Sequence, residues 1–329
     1  MRHHGLPFKL SLLLIAVAML LSGFACSPNK TTDSGNQANA NTNTNTNTSN
    51  TGQITVTDTT GQVVTLDGPA TRIVVLTPSD CEILYALSAG NSVVGRGTYC
   101  DYPESVLSIP DVQSGSDMNV EQILSLQPQV VLTAEMTQNV QPQIDALRKA
   151  GVAVIVDDAK TIDETYRSIQ TIGKITGRED KALALVGSMQ EAFAKIQAAV
   201  PAGDKKSVYF EVSPLQYGLW AGGKGTFMDE LANMLGLTNV FADVEGWAEI
   251  SEEQVINRNP DLIITVTMYY GDGPTPQEEI IGRPGWDKIT AVRDGKVFYI
   301  DNNEIARPGP RLVDAAQNLF HQIYPDASL

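Results

Sequence analysis

Two stretches of the chain, residues 121–132 and 253–264, are built to one plan. The first runs Glu121-Gln122-Ile123-Leu124, then Pro128 and the apolar run Val130-Val131-Leu132. The second runs Glu253-Gln254-Val255-Ile256, then Pro260 and Leu262-Ile263-Ile264. Proline cannot continue a helix, and it pushes the residue before it out of the α region. Each stretch is therefore a short helix, a break, and a strand whose unbroken apolar run suits burial on both faces. Building the same helix-to-strand unit twice predicts two similar α/β lobes, with a glutamate at the same place in each.

The ends of the chain bound where those lobes work. Arg2 and Lys9 precede an apolar run from Leu10 to Leu21 that is short for a membrane span, and Gly23-Phe24-Ala25 leads into Cys26. Residues 1–25 have the layout of a secretory signal. A cysteine directly after Ala25 resembles a bacterial lipobox, with lipidation expected at Cys26, although Gly23 stands where that motif prefers leucine. Residues 26–53 hold no aromatic side chain and, after the cysteine, no aliphatic one larger than alanine. Such a segment buries too little apolar surface to offset its ordering entropy, so it is expected to be a flexible tether. The expected location is extracytoplasmic, with a lipid anchor holding the chain to the membrane. The formal charge of −15 argues against nucleic acid, which is bound by neutralising phosphates with Lys and Arg.

Past the tether, residues 54–66 alternate around a glycine turn and predict a hairpin. Strands are expected over 72–76, 92–95, 152–156, 207–212 and 297–300, besides the two in the repeated units. Helices are expected from Glu82, near 140–150, over 162–176, 226–235 and 311–324, with Ser79 or Asp80 capping the first. Strands alternating with helices imply mostly parallel sheets with helices on their faces. Gly177 precedes a long run of helix formers, residues 178–200, which ends at Pro201 and would span about 35 Å. The expected organisation is an N-lobe over 54–177, this stiff bridging helix, and a C-lobe over 201–329.

Catalytic chemistry is hard to assemble from these residues. His3 and His4 belong to the signal, and His321 lies far in sequence from any acidic or cysteine cluster. A histidine-based metal site or a catalytic triad is not expected, which counts against a surface-anchored hydrolase. The stretch Gly222-Gly223-Lys224-Gly225-Thr226 does not have phosphate-loop spacing, and Thr226 serves better as a helix cap. A ligand cleft is better sought at the carboxyl ends of the strands. The loops there carry Tyr99, Tyr217, Trp220, Trp247, Tyr269 and Tyr270 in a chain only 6% aromatic, which suits a large, partly apolar ligand. Cys81 and Cys100 fall on neighbouring N-lobe loops and form a candidate disulfide, with two separate buried thiols as the alternative.

The order of these pieces, with GTYCDYP, MNVEQI, EISEEQV and RPGPR at their separations, resembles the class III solute-binding proteins of ABC importers over residues 54–329. That family carries cobalamin, iron-siderophores and haem. The resemblance implies two Rossmann-like lobes joined by one long rigid helix, with the ligand between them. It implies no enzymatic activity and no cofactor of its own. The expected cargo is a metal chelate, a corrinoid first, and the expected partner is a permease dimer with its ATPase, served by a monomer. Tyr99 matches the N-lobe tyrosine of cobalamin-binding members and Trp247 their C-lobe cleft tryptophan. Two further N-lobe aromatics of such proteins appear here as Gly115 and Ala134. Arg307 is expected to meet an anionic substituent of the ligand, and its neighbour Arg311 to bracket the last helix. Glu121 and Glu253 match the exposed acids that meet permease arginines, with Glu252 a substitute for the second. Acids favour helix N-termini by about 0.3–1 kcal/mol, which would account for either one alone.

Overall fold

The computed structural model describes residues 52–134, 140–203, 205–268, 271 and 273–329. The described residues open with an antiparallel hairpin, β1 (Ile54–Thr57) and β2 (Val63–Leu66). The N-lobe follows as β3 (Ile73–Val75), α1 (Pro78–Ala86), β4 (Val93–Arg96), α2 (Val120–Ser125), β5 (Val130–Thr133), α3 (Gln141–Lys149), β6 (Ala153–Val156) and α4 (Ile162–Thr176). Its strands are all parallel, in the order β4-β3-β5-β6. Helix α5 (Glu179–Ala199) then leads into the C-lobe.

The C-lobe opens with β7 (Ser207–Glu211), β8 (Leu219–Gly222), α6 (Phe227–Met234), β9 (Thr238–Asn239) and β10 (Trp247–Ile250). It continues through α7 (Glu252–Arg258), β11 (Leu262–Thr265), α8 (Pro276–Ile281), α9 (Thr290–Arg293), β12 (Val297–Tyr299), α10 (Asn302–Ile305) and α11 (Leu312–Ile323). Its sheet runs β10-β8-β7-β11-β12, with β9 beside β7. Here the sheet is mixed: β11 is parallel to β7 and β12, whereas β8 and β10 form an antiparallel ribbon. The sequence predicts loops across that ribbon, because four-residue strands flanked by Gly218, Gly222, Gly223 and Gly246 show too little alternation to be seen.

Both repeated stretches form the predicted unit, α2 into β5 and α7 into β11. Every residue of β5 and β11 is buried, and each strand sits inside its sheet, β5 between β3 and β6 and β11 between β7 and β12. The residues before the two prolines leave the right-handed helix in the same way. Gln127 takes φ +51° and Asn259 φ +44°, both left-handed. Asparagine tolerates that region, and Asn259 also accepts a 2.8 Å hydrogen bond from the Thr290 amide. Gln127 has no such excuse: its side chain is exposed in a conformation that L-residues other than Asn and Asp rarely adopt.

Helix α1 begins earlier than its sequence suggests. Pro78 takes the first helical turn, where a missing N–H does no harm, and Thr77 stands at the N-cap in place of Ser79 or Asp80. Helix α4 starts at a Thr161 cap and ends on Gly177 at φ +64°, from which α5 departs. One continuous apolar core joins the lobes, running from Ile73, Leu84 and Ile169 through Val186, Phe193 and Ile196 of α5 to Phe210, Leu231 and Phe320. Smaller cores fill the outer sheet faces, around Ile123 and Val131 in the N-lobe and around Tyr209, Ile263 and Trp286 in the C-lobe.

Replacing Gln127 by Asn should relieve the left-handed strain and raise stability by about 0.5 kcal/mol. Urea denaturation checks this, and an unchanged or lower midpoint would count against strain at that position.

Candidate functional site

Helix α1 places two acids, Asp80 and Glu82, in an otherwise largely apolar run, and both are buried. A buried carboxylate needs a partner. Glu82 finds two, both from the C-lobe. Arg311 donates through Nε at 2.9 Å and Nη2 at 2.6 Å, and Arg307 through Nη1 at 3.0 Å. Arg307 also grips Asp101 of the N-lobe, with Nη1 at 2.7 Å and Nη2 at 3.3 Å, and donates to Asn303 Oδ1 at 2.6 Å. The Arg311 guanidinium lies over the Tyr102 ring, 4.2 Å from its centre. Two guanidinium groups and two carboxylates thus close a charge-balanced knot between the lobes. Burial tends to raise the Asp101 carboxyl, but the Arg307 contacts outweigh it and hold the group below the usual range.

This placement revises the expectation for Arg307, which is engaged with Glu82 and Asp101 rather than free for a ligand anion. Arg311 does stand at the start of α11, yet its side chain crosses to the other lobe instead of capping the helix. The knot could have been sought in the sequence. A glutamate inside the run CEILYALS asks for a cation, and RPGPR supplies two.

Beside it lies a second buried pair. Asp80 and Asp157 share a hydrogen bond; burial first, and then the charge of Asp157, hold the Asp80 carboxyl protonated far above its ordinary range, against the pull of the Thr77 hydroxyl bonded to it. Asp157 is also raised by burial, although it accepts from Ser168 Oγ at 2.7 Å. Cys81 and Cys100 are both free and fully buried, so the candidate disulfide is not formed in this structure. Each thiol donates to a carbonyl, Cys81 to Tyr102 at 3.7 Å and Cys100 to Val75 at 3.5 Å. The contact with Cys81, followed by burial, pushes the Cys100 thiol up, as suits a cysteine packed as a small apolar residue.

The aromatic side chains expected in the cleft are conspicuously unpacked. Tyr99 follows β4 and is 65% exposed; Tyr217, after β7, is 76% exposed; Trp220 and Trp247 are 38% and 36% exposed. Pairing of Trp220 with Glu249 and of Gly222 with Trp247 puts both indoles and Glu249 on one face of the β8–β10 ribbon. Gly222 leaves the room that the Trp247 ring occupies, since a Cβ there would come within 3.0 Å of it. The ring also meets Phe227 edge-on, at 5.4 Å. Phe227 donates its backbone N–H to Lys160 at 2.7 Å, and Glu230 accepts from Ile162 N at 2.6 Å, so α6 forms a second lobe-to-lobe contact. The glycine stretch around Lys224 is committed to structure: Gly223 N donates to Gly246 O and Lys224 N to Val244 O, while Thr226 caps α6. Tyr269, Tyr270 and Cys26 lie outside the described residues. Among the described residues, no three His, Cys, Asp or Glu side chains gather as a metal site.

Glu121 and Glu253 are both exposed in the first turns of α2 and α7, behind the caps Asn119 and Ser251. Glu252 differs from Glu253. It is half-buried and accepts the Trp286 indole N–H at 2.8 Å.

A family model described as periplasmic binding protein matches residues 73–304. The chain belongs to that family. A Bacillus subtilis relative, the uncharacterized ABC transporter substrate-binding lipoprotein YvrC, is 34% identical over 95% of this chain and 96% of its own. A cobalamin-binding protein of Halobacterium salinarum is 28% identical over 82% of this chain and 74% of its own. The solved structure of an ABC-type Fe3+-hydroxamate transport system from Saccharomonospora viridis shares 27% identity, covers 82% of this chain and 99% of that one, and superposes with a TM-score of 0.69. As a periplasmic binding protein, the chain is the extracytoplasmic substrate-binding component of an ABC transporter, with a permease and ATPase as partners. It binds its solute as cargo, not as a cofactor, and is no enzyme.

The Asp80 proton has a consequence for this binding protein's stability. Its folded pKa lies above the unfolded value, so folding retains a proton that the unfolded chain releases above about pH 4. That contribution is complete below this pH and is lost as pH climbs through the raised folded pKa. Asp80→Asn, which stays neutral, should gain stability relative to the native protein as pH rises from about 5 to 8. Parallel urea midpoints across that range would place the proton elsewhere.

Proposed function

We propose that this substrate-binding protein captures a metal chelate, a corrinoid first, between its two lobes and delivers it to the permease. The observation that carries the reading is the unpacked aromatic set Tyr99, Tyr217, Trp220 and Trp247, to which Tyr269 is added from sequence. Tyr99 and Tyr217 lie on loops after β4 and β7, and Trp220 and Trp247 within the β8–β10 ribbon rather than on the loops expected from sequence. Large rings left exposed in this way favour a broad, flat, partly apolar ligand. The knot at Arg307 points the same way: its charge is already balanced by Glu82 and Asp101, so a ligand needs no carboxylate to neutralise it. The relative named as cobalamin-binding supports this choice. A ferric siderophore or haem is the second reading. It is favoured by Asp101, whose 46% exposed side chain a ligand carboxylate could displace from Arg307.

In this reading Glu121 and Glu253 are the permease-docking acids. Glu252 is the weaker candidate, because Trp286 already holds its carboxylate. A lipid on Cys26, followed by the 26–53 tether, would keep a monomeric protein at the membrane surface.

Titrating hydroxocobalamin, haemin and a ferric hydroxamate while following tryptophan fluorescence tests the ligand. Hydroxocobalamin should quench, and Trp247→Ala should weaken it by about tenfold, the worth of one aromatic contact. Quenching by the hydroxamate or haemin alone would sink the corrinoid reading. Docking is tested separately: Glu121→Arg with Glu253→Arg should abolish uptake and leave ligand affinity unchanged. A drop in affinity would assign the two acids to the cleft or the fold.

A further inference from the structure

We propose that Arg283, Trp286 and Glu252 form a positioning relay that ties the first turn of α7 to the C-lobe core and so places the backbone from which the exposed carboxylate of Glu253 meets the permease, an inference that rests on the docking role given to Glu253 above. The relay starts at Glu211, the last residue of β7, which is 1% exposed. Arg283 grips it with two hydrogen bonds, Nη1 at 2.6 Å and Nη2 at 2.9 Å. The same guanidinium donates through Nε to Glu279 of α8 at 3.0 Å, and through Nη2 to its other oxygen. Its flat face lies 4.4 Å from the centre of the Trp286 ring. Trp286 is fully buried, and its indole N–H reaches the Glu252 carboxylate at the first position of α7. Glu253 is the next residue.

Three features set this arrangement apart from ordinary packing. An arginine buried among carboxylates is rarely worth more than apolar side chains of the same volume, so stability alone does not account for it. Burial, acting against Arg283, even pushes the Glu211 carboxyl up to about 7. The helix start does not require Glu252 either, because α7 already has a complete capping box between Ser251 and Gln254. Most telling is the other copy of the repeated unit. There Val120 occupies the position of Glu252, and α2 is tied down differently, by Gln122 Nε2 donating to the Asp111 carbonyl at 3.1 Å. The second unit thus adds an acid, and that acid meets the one donor the buried tryptophan has.

Trp286 also closes a route from the strand end to the helix. Glu211 O accepts from Val266 N at the carboxyl end of β11, and Asn302 donates to Val266 O at 2.8 Å, so the fixed end of the relay belongs to the strand ends that border the cleft. The first turn of α7, which carries Glu253, is thereby tied to these strand ends through Glu252.

The test measures binding of the unliganded protein to its permease–ATPase complex in nanodiscs, with circular dichroism melts of each variant. Glu252→Ala and Trp286→Phe should each weaken the complex about fivefold, the value of one ordinary hydrogen bond, with native secondary structure retained. The double variant should bind no worse than the weaker single, and Glu252→Gln, whose amide oxygen still accepts, should bind within about twofold of native. Glu253→Arg is the control for the docking reading. If it weakens binding while Glu252→Ala and Trp286→Phe do not, the relay is overturned and docking stands. If Glu253→Arg has no effect, docking and relay fall together. Additive losses in the double variant, or a Glu252→Gln as weak as Glu252→Ala, would also overturn the relay.

Discussion

The molecule turns on one buried carboxylate. Glu82 sits on an apolar helix with 4% of its surface exposed, and it is tolerable there only because two guanidinium groups arrive from the other lobe. Removing one side of such a pair leaves an uncompensated buried charge, a loss of about 3–5 kcal/mol. The dependence is mutual, since Arg307 and Arg311 have Glu82 and Asp101 as their carboxylate partners. Hence the N-lobe and C-lobe are not simply two bodies at the ends of α5. They meet at the ion knot, they meet again where α6 touches Lys160 and Ile162, and they share one apolar core through α5. The stiffness ascribed to the bridging helix is distributed over all three.

That constraint shapes what the cleft can recognise. A guanidinium already shared between two carboxylates offers little net field to an anion, and Arg307 moves toward a ligand only by giving up Asp101, its more exposed partner. The aromatic side chains face the opposite situation. Among the described residues nothing covers most of Tyr99 or Tyr217, and the β8–β10 ribbon carries its two indoles on one face. In the proposed reading, dispersion and burial of ring surface would therefore hold the ligand, with charge in a secondary part.

Much of this was legible in the sequence where a local rule governed the outcome. Proline and an apolar run fixed both repeated units, and helix formers between Gly177 and Pro201 fixed α5. The ribbon was hidden because four residues give no periodicity to detect, and its glycines imitate a loop. Ser79 and Asp80 are cap types as good as Thr77, and only the fit of Pro78 to a helix's first turn favours the earlier start. The ion knot and the Glu211–Arg283–Trp286–Glu252 chain were invisible for another reason. Their members stand far apart in sequence, more than two hundred residues for Glu82 and Arg307, and only tertiary packing brings them together. For the knot, sequence did show an acid in an apolar helix and two arginines in RPGPR, but not that they meet.

Comparison of the duplicated units separates what the fold needs from what it does not. Both keep the proline, the left-handed residue before it and the buried strand, each with a plain backbone reason. They differ at the cap, Asn119 against Ser251, and at the first helical position, Val120 against Glu252. Some other first-turn acids serve the fold, as Glu164 accepts from Lys160 N, Glu230 from Ile162 N, Glu278 from Thr275 N and Glu252 from Trp286, whereas the Asp163, Glu179, Asp180 and Asp314 side chains are exposed without a hydrogen bond or ion pair among the described residues. Glu253 touches only its own turn and the Ser251 cap, and among the described residues Glu121 has neither a hydrogen bond nor an ion pair. A helix dipole is content with any acid in the first turn, so it accounts for either acid alone but not for an exposed one at the same place in both units. Two exposed carboxylates at matched positions in units of one plan are the ground on which a docking role is proposed for them.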